Sequence, residues 1–150
     1  MSLRDLGVRV PQTAEPDLTA RSAAQQMEKQ GVGCLVVVDG GKPIGVVTDR
    51  DLALYVLVGK RDPGLIRVGE IAARRPVTIS DSASIGDAAR TLRRHGVRRL
   101  PVVDEKGTLV GLVSGDDLLR ALATEVGDLA EALRRQLSKA TQAEQAPPAP

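Results

Sequence analysis

Two phrases in this chain place a hydroxyl three residues ahead of a carboxylate: GVVTDRDL at 45–52 and GLVSGDDL at 111–118. An ionised carboxylate accepts from both hydroxyls of a vicinal diol, and charge-assisted hydrogen bonds are the strong ones. Asp51 and Asp117 supply that group. Thr48 and Ser114 can cap the helix that follows or bond a sugar or phosphate oxygen, and the free N–H groups of a helix start suit an anion. The plainer reading of the same residues is structural: two N-caps, and two first-turn acids favoured by the helix dipole. Asp49 with Asp51, or Asp116 with Asp117, has the form of a carboxylate pair. No nucleophile or base is organised around either pair, so the reading is non-enzymatic. His95 precedes Gly96 and reads as a helix C-terminal residue responding to the dipole, without companions at metal-ligand spacing. The single cysteine, Cys34, lies in an apolar run and reads as packing; alone it can form no intrachain disulfide.

The elements that must position these residues are written twice. Shifted by 65 residues, Leu3, Asp5 and Leu6 fall on Val68, Glu70 and Ile71, and Pro11 and Thr13 fall on Pro76 and Thr78. Gly31 and Val32 fall on Gly96 and Val97, and Val37, Val38 and Asp39 on Val102, Val103 and Asp104. One extra residue in the second turn, DEKGTLVG against DGGKPIG, moves the offset to 66, and Gly45, Thr48 and Asp51 then meet Gly111, Ser114 and Asp117. A duplication of this kind, found first, organises everything else. The spacing of Ala23, Ala24 and Met27 predicts a helix over 19–30, and that of Ile85, Ala88, Ala89 and Leu92 one over 84–95. Each stops at a glycine placed as a C′ residue. CLVVVD and PIGVVT, then LPVVD and TLVGLVS, read as hairpins of buried strands. A second helix is expected to begin at each motif's aspartate, and PVTIS as a short extra strand. Each half is thus β-α-β-β-α. A half of about 60 residues buries too little surface alone, so the two are expected to share a core. The expected organisation is repeat one at 1–65, repeat two at 66–125, a helical extension at 126–139 and a disordered tail at 140–150.

Composition narrows the function. The chain is 42% hydrophobic and 27% charged, which is a folding composition. Tyr55 is the only aromatic, so the core is aliphatic and no aromatic platform exists for stacking bases. A net charge of +2 is too weak to argue for nucleic acid, despite the cluster Arg90, Arg93, Arg94, Arg98 and Arg99. No apolar run reaches the length of a membrane span, and MSLRDLGVRV lacks the apolar core of a secretory signal, so the expected location is cytoplasmic.

A G-h-h-[ST]-x-x-D strand ending, once per half of a tandem β-α-β-β-α pair, resembles the CBS domain pair, or Bateman module. GVRRLPVVDEKGTLVGLVSGDDLL is the closest stretch, and the resemblance covers about residues 1–125. It implies an α+β fold of two repeats packed sheet to sheet with pseudo-twofold symmetry, here as a stand-alone pair with an extended C-terminal helix. It also implies a non-enzymatic regulator that binds AMP, ADP or ATP between the repeats, forms a homodimer and acts on an unknown protein partner. By similarity to the family, site A would use Thr48, Arg50 and Asp51 with Thr78, Arg98, Arg99 and Pro101. Site B would use Ser114 and Asp117 with Thr13, Gly33, Cys34 and Val36. Site A has Arg98 and Arg99 where site B has Gly33 and Cys34, and Arg50 where site B has Asp116. A phosphorylated ligand is therefore expected at site A, and at site B none or an uncharged one.

The rivals are the same fold reading S-adenosylmethionine, NAD or a cyclic dinucleotide, an RNA- or DNA-binding protein, and a dimerisation module with empty clefts. The arginines favour a phosphate-bearing ligand over S-adenosylmethionine. Beyond the second repeat, Leu118, Leu122, Val126, Leu129, Leu133 and Leu137 form an a/d-like seam, weakened at Gly127, that suits pairing with a second chain.

Overall fold

The computed structural model describes residues 1–72 and 75–144, with side chains described as far as position 139. The chain divides into two units, Met1–Gly115 and Asp116 onward.

The first unit holds two three-stranded sheets. One is β1 (Thr13–Ala14), β2 (Cys34–Asp39) and β3 (Lys42–Thr48), in that order; the other is β4 (Ile79–Ser80), β5 (Arg99–Val103) and β6 (Leu109–Ser114). In each sheet a parallel pair, β1–β2 or β4–β5, adjoins an antiparallel hairpin. The first hairpin turns through Gly40 and Gly41, both at positive φ, where an L side chain would be strained. The longer second turn holds the inserted residue, and the Asp104 carboxylate accepts from Lys106 N–H and Thr108 N–H at 2.9 and 2.8 Å.

Helix α1 (Ala20–Gln30) starts at Thr19, whose hydroxyl accepts from Ser22 N–H, and ends at Gly31 with φ 63°. Helix α4 (Ile85–His95) starts at Ser84 and ends at Gly96 with φ 62°. Here Ser84 and Asp87 form a reciprocal capping box. The side-chain bond from Ser84 and the Arg90 guanidinium pull the Asp87 carboxyl down to about 2. The helices bury Ala20, Ala23 and Met27 against Leu35, Val37 and Val47 in the first half, and Ile85 and Ala88 in the second.

The helices after the two motifs begin earlier than expected. Helix α2 (Asp49–Ala53) starts directly after Thr48, two residues before Asp51, because the cap takes N–H groups from the next turn. It passes into a π-helical turn at Leu54–Val58 and stops at Gly59. Its counterpart α5 starts at Gly115 and runs 30 residues to Glu144, past position 140 where the tail was expected; positions 145–150 lie outside the described residues.

The segments that open the two repeats are exchanged. Leu3, fully buried, donates its N–H to Ala83 O, and Arg4 N–H donates to Asp81 O, both at 2.8 Å. Val68, in the short helix α3 (Val68–Ile71), donates to Leu18 O at 2.8 Å, and Gly69 to Pro16 O at 2.9 Å. Every partner in the second set is the 65-residue counterpart of one in the first. Each half is thus closed by the leading segment of the other, which makes one folding unit of two repeats.

In the second unit, α5 carries Leu119, Leu122, Val126, Leu129, Leu133 and Leu137 along one exposed stripe; Leu118, expected to begin this seam, is buried instead. On another face Glu131 pairs with Arg134 at 2.9 Å and Arg135 at 3.1 Å. No helix among the described residues is long and apolar enough to cross a membrane.

Candidate functional site

Strand β3 ends at Thr48, and the strand's hydrogen-bonding pattern passes there into α2. Thr48 N–H donates to Asp51 Oδ2 at 2.9 Å, and Asp51 N–H donates to Thr48 Oγ1 at 3.1 Å. This is the reciprocal capping box again, so the structural reading of the pair holds. It leaves the second carboxylate oxygen of Asp51 for another partner. The hydroxyl–carboxylate spacing therefore builds the strand-to-helix corner and sets a carboxylate beside it at once.

Thr48 and Val46 form one wall of a cleft of about 300 Å³; Arg98, Arg99 and Pro101 at the start of β5 form the facing wall. The structure thus brings Thr48, Arg98, Arg99 and Pro101 of the expected site A into one space. Arg50, Asp51 and Thr78 stand outside the lining. Arg50 is exposed, with its backbone N–H on Asp49 Oδ1 at 2.8 Å, and Thr78 is exposed just before β4. Arg75, Pro76 and Val77 complete the lining, together with Gly96 and Val97 from the end of α4. The resemblance pointed to none of the first three. Their signal was weak: PV at 76–77 reads as an approach to a strand, and nothing local places Arg75 opposite Thr48.

Of the residues expected at site B, Thr13 lies opposite Val36 in the β1–β2 register, and Cys34 lies opposite Thr48. Ser114 lies opposite Arg99. Asp117 belongs to the second unit. Val36 is fully buried and Cys34 nearly so. Burial pushes the Cys34 thiol up, Arg99 partly offsets this and Asp49 adds to it, so the thiol is held protonated and unreactive. The Gly33 carbonyl accepts from Asp49 N–H at 3.1 Å. A Cβ on Gly33 would lie 3.3 Å from Asp49 Oδ2, so the glycine lets the first turn of α2 come close.

A larger groove of about 470 Å³ lies between α1 and α2, walled by Met27, Val32, Leu52 and Val56 and bordered by Glu28 and Asp49. It is apolar with acidic groups at its edge and carries no cation, which suits an anion poorly. The smaller cleft has the hydroxyl and the arginines, a lining that suits an anion better. Among the described residues no cluster of His, Cys, Asp and Glu could hold a metal ion.

Two hairpin-centred halves, each ending its last strand in a hydroxyl with a carboxylate three residues on, define a CBS pair, and comparison with known proteins agrees. The CBS domain model matches residues 3–58 and 68–124, and the chain belongs to that family. It is 36% identical over 117 residues to the CBS domain-containing protein YhcV of Bacillus subtilis, covering 78% of this chain and 82% of that one. It is 30% identical over 124 residues to the uncharacterized protein MK0525 of Methanopyrus kandleri, covering 82% of this chain but only 63% of that longer relative. Among solved structures, the CBS domain protein PAE2072 of Pyrobaculum aerophilum, complexed with AMP, superposes with a TM-score of 0.71 at 30% identity, covering 83% of this chain and 99% of that one. The CBS domain pair of protein MJ0100, in complex with 5′-methylthioadenosine and S-adenosyl-L-methionine, gives 0.72 at 25% identity, covering 83% and 98%.

Proposed function

We propose that this CBS pair is a regulatory module that binds an adenosine nucleotide in the cleft between β3 and β5. The observation that carries the reading is the convergence of Thr48 on one wall with Arg98 and Arg99 on the other. The hydroxyl and the neighbouring Asp51 suit the ribose. The guanidinium forks suit phosphate, which they grip bidentately. Val46, Val77, Val97 and Pro101 offer apolar surface to a purine. The AMP complex of PAE2072 supports an adenosine phosphate. The ligands of MJ0100 support the adenosine moiety without fixing what it carries. The arginines favour a phosphate over the sulfonium of S-adenosylmethionine.

A nucleotide in this cleft touches both halves. Binding changes the balance between arrangements of the repeats to the extent that affinity differs between them. We place the module in the cytoplasm, acting without catalysis on a protein partner, and as a homodimer joined through the apolar stripe of α5. The stripe runs Leu119, Leu122, Val126, Leu129 and Leu133 with alternating three- and four-residue steps, the pattern of a two-helix seam.

The test is thermal unfolding and calorimetric titration with AMP, ADP, ATP, NAD, S-adenosylmethionine, cyclic di-AMP and a short RNA. At about 100 times its dissociation constant a ligand raises stability by about 2.7 kcal/mol. An adenosine phosphate should raise the melting temperature, and the rise should vanish in Asp51→Ala. A response to S-adenosylmethionine alone, or to RNA alone, would replace this reading.

A further inference from the structure

We infer that the cleft is built for a nucleotide with more than one phosphate, and that Arg75 sets this preference. The inference rests on the nucleotide reading above and adds the number of phosphates to it.

Three arginines, Arg75, Arg98 and Arg99, line the cleft, and no aspartate or glutamate does. Among the described residues none of the three takes part in an ion pair. Three arginines along one cleft concentrate positive charge there, which suits a polyanion. A monophosphate brings about two negative charges on one compact group, which one or two forks satisfy. A di- or triphosphate adds charge and, more to the point, length, so a third fork from a different element finds its own oxygens.

Arg75 is placed for that role by its backbone. It sits at φ 59°, in the left-handed region that a long side chain seldom occupies. Uncommon backbone of this kind gathers at ligand sites because it aims a side chain. The position is also specific to the second half: the 65-residue counterpart of Arg75 is Val10, an exposed apolar residue. Duplication alone therefore does not account for a cation there.

The experiment is calorimetric titration of the full chain with adenosine, AMP, ADP and ATP, in magnesium-free buffer at one ionic strength, for the natural protein and Arg75→Gly. Glycine is at ease at this φ, so the variant should melt at or above the temperature of the natural protein, and a loss of binding cannot be put down to unfolding. The natural protein should bind ATP about tenfold or more tighter than AMP, the effect of one charge-assisted hydrogen bond. Arg75→Gly should bring the two affinities within about threefold of each other while leaving AMP nearly unchanged. Equal affinity for AMP and ATP in the natural protein would overturn the inference and leave the nucleotide reading standing. So would an Arg75→Gly variant that loses AMP and ATP alike. Binding of none of the four, adenosine included, would overturn both.

Discussion

The start of β2 and the start of β5 are the same piece of backbone with different chemistry. Gly33 and Cys34 stand where Arg98 and Arg99 stand, 65 residues on. Cys34 faces Thr48 across its hairpin, and Arg99 faces Ser114 across the other. The residue that follows the cap is exchanged in the opposite sense. Asp49 follows Thr48 and closes on Gly33, whereas Gly115 follows Ser114, in the half that carries Arg98. Asp49 crowds Gly33 in one half, whereas a Cβ on Gly115 in the other would meet nothing within 4 Å. Duplication supplied two equivalent corners, and a few side chains then made one of them cationic. The cost to folding is low because the strand pairing beneath is unchanged.

The largest effects should be the ones that ignore this difference. Leu35 and Leu100 are counterparts, both fully buried. Leu35→Ala and Leu100→Ala should each lose about 2–5 kcal/mol in urea unfolding, with matching values. A cost in only one half would show that the core is less symmetric than the strands.

Next comes the difference itself. Arg99→Ala should weaken nucleotide binding by about 2 kcal/mol, near thirtyfold, by calorimetry. Cys34→Ala, at the matching position, should leave binding within about twofold. Equal losses from both would erase the distinction between the corners.

The exchanged segments differ too. The first is fastened by Arg4 to Asp81 at 2.9 Å, with Asp81 Oδ1 buried and without a hydrogen-bond partner. The second relies on close approach: a Cβ on Gly69 would lie 3.0 Å from the Pro16 carbonyl oxygen. Gly69→Ala should therefore cost about 1–3 kcal/mol. Arg4→Ala should give a smaller fall in melting temperature that shrinks further with added salt.

The smallest effects sharpen the comparison of caps. Ser84→Ala should cost about 1 kcal/mol, more than Thr19→Ala, because α4 has a full capping box and α1 does not. The Asp87 carboxyl is held at about 2, below its usual range, by Ser84 and Arg90. Its folded value is depressed, so its contribution is complete above the ordinary carboxylate range near pH 4 and fades as the pH falls toward 2. The counterpart residue is Ser22, which does not titrate. Carboxyl NMR titration should find this low value, and Ser84→Ala should move it up toward the ordinary range.

Much of this molecule was legible in local pattern. Helical spacing ahead of Gly31 and Gly96, apolar runs around two turns, and a hydroxyl before each second helix all act within a few residues. They determined two β-α-β-β-α halves and marked Thr48 and Asp51 as a corner worth attention. The reach of α2 was less legible: both second helices follow the same sequence motif, yet one loosens into a π-helical turn at Leu54–Val58 and the other runs to Glu144. The exchange of Leu3 and Val68 between halves, and the entry of Arg75 into the cleft opposite Thr48, were decided only in three dimensions. Their partners lie far along the chain, Ala83 for Leu3 and Leu18 for Val68. No periodicity records which of two equivalent halves a leading segment will close. Short-range hydrogen bonding and side-chain spacing wrote the repeats into the sequence; long-range hydrogen bonds and burial of the exchanged leading segments chose how they interlock.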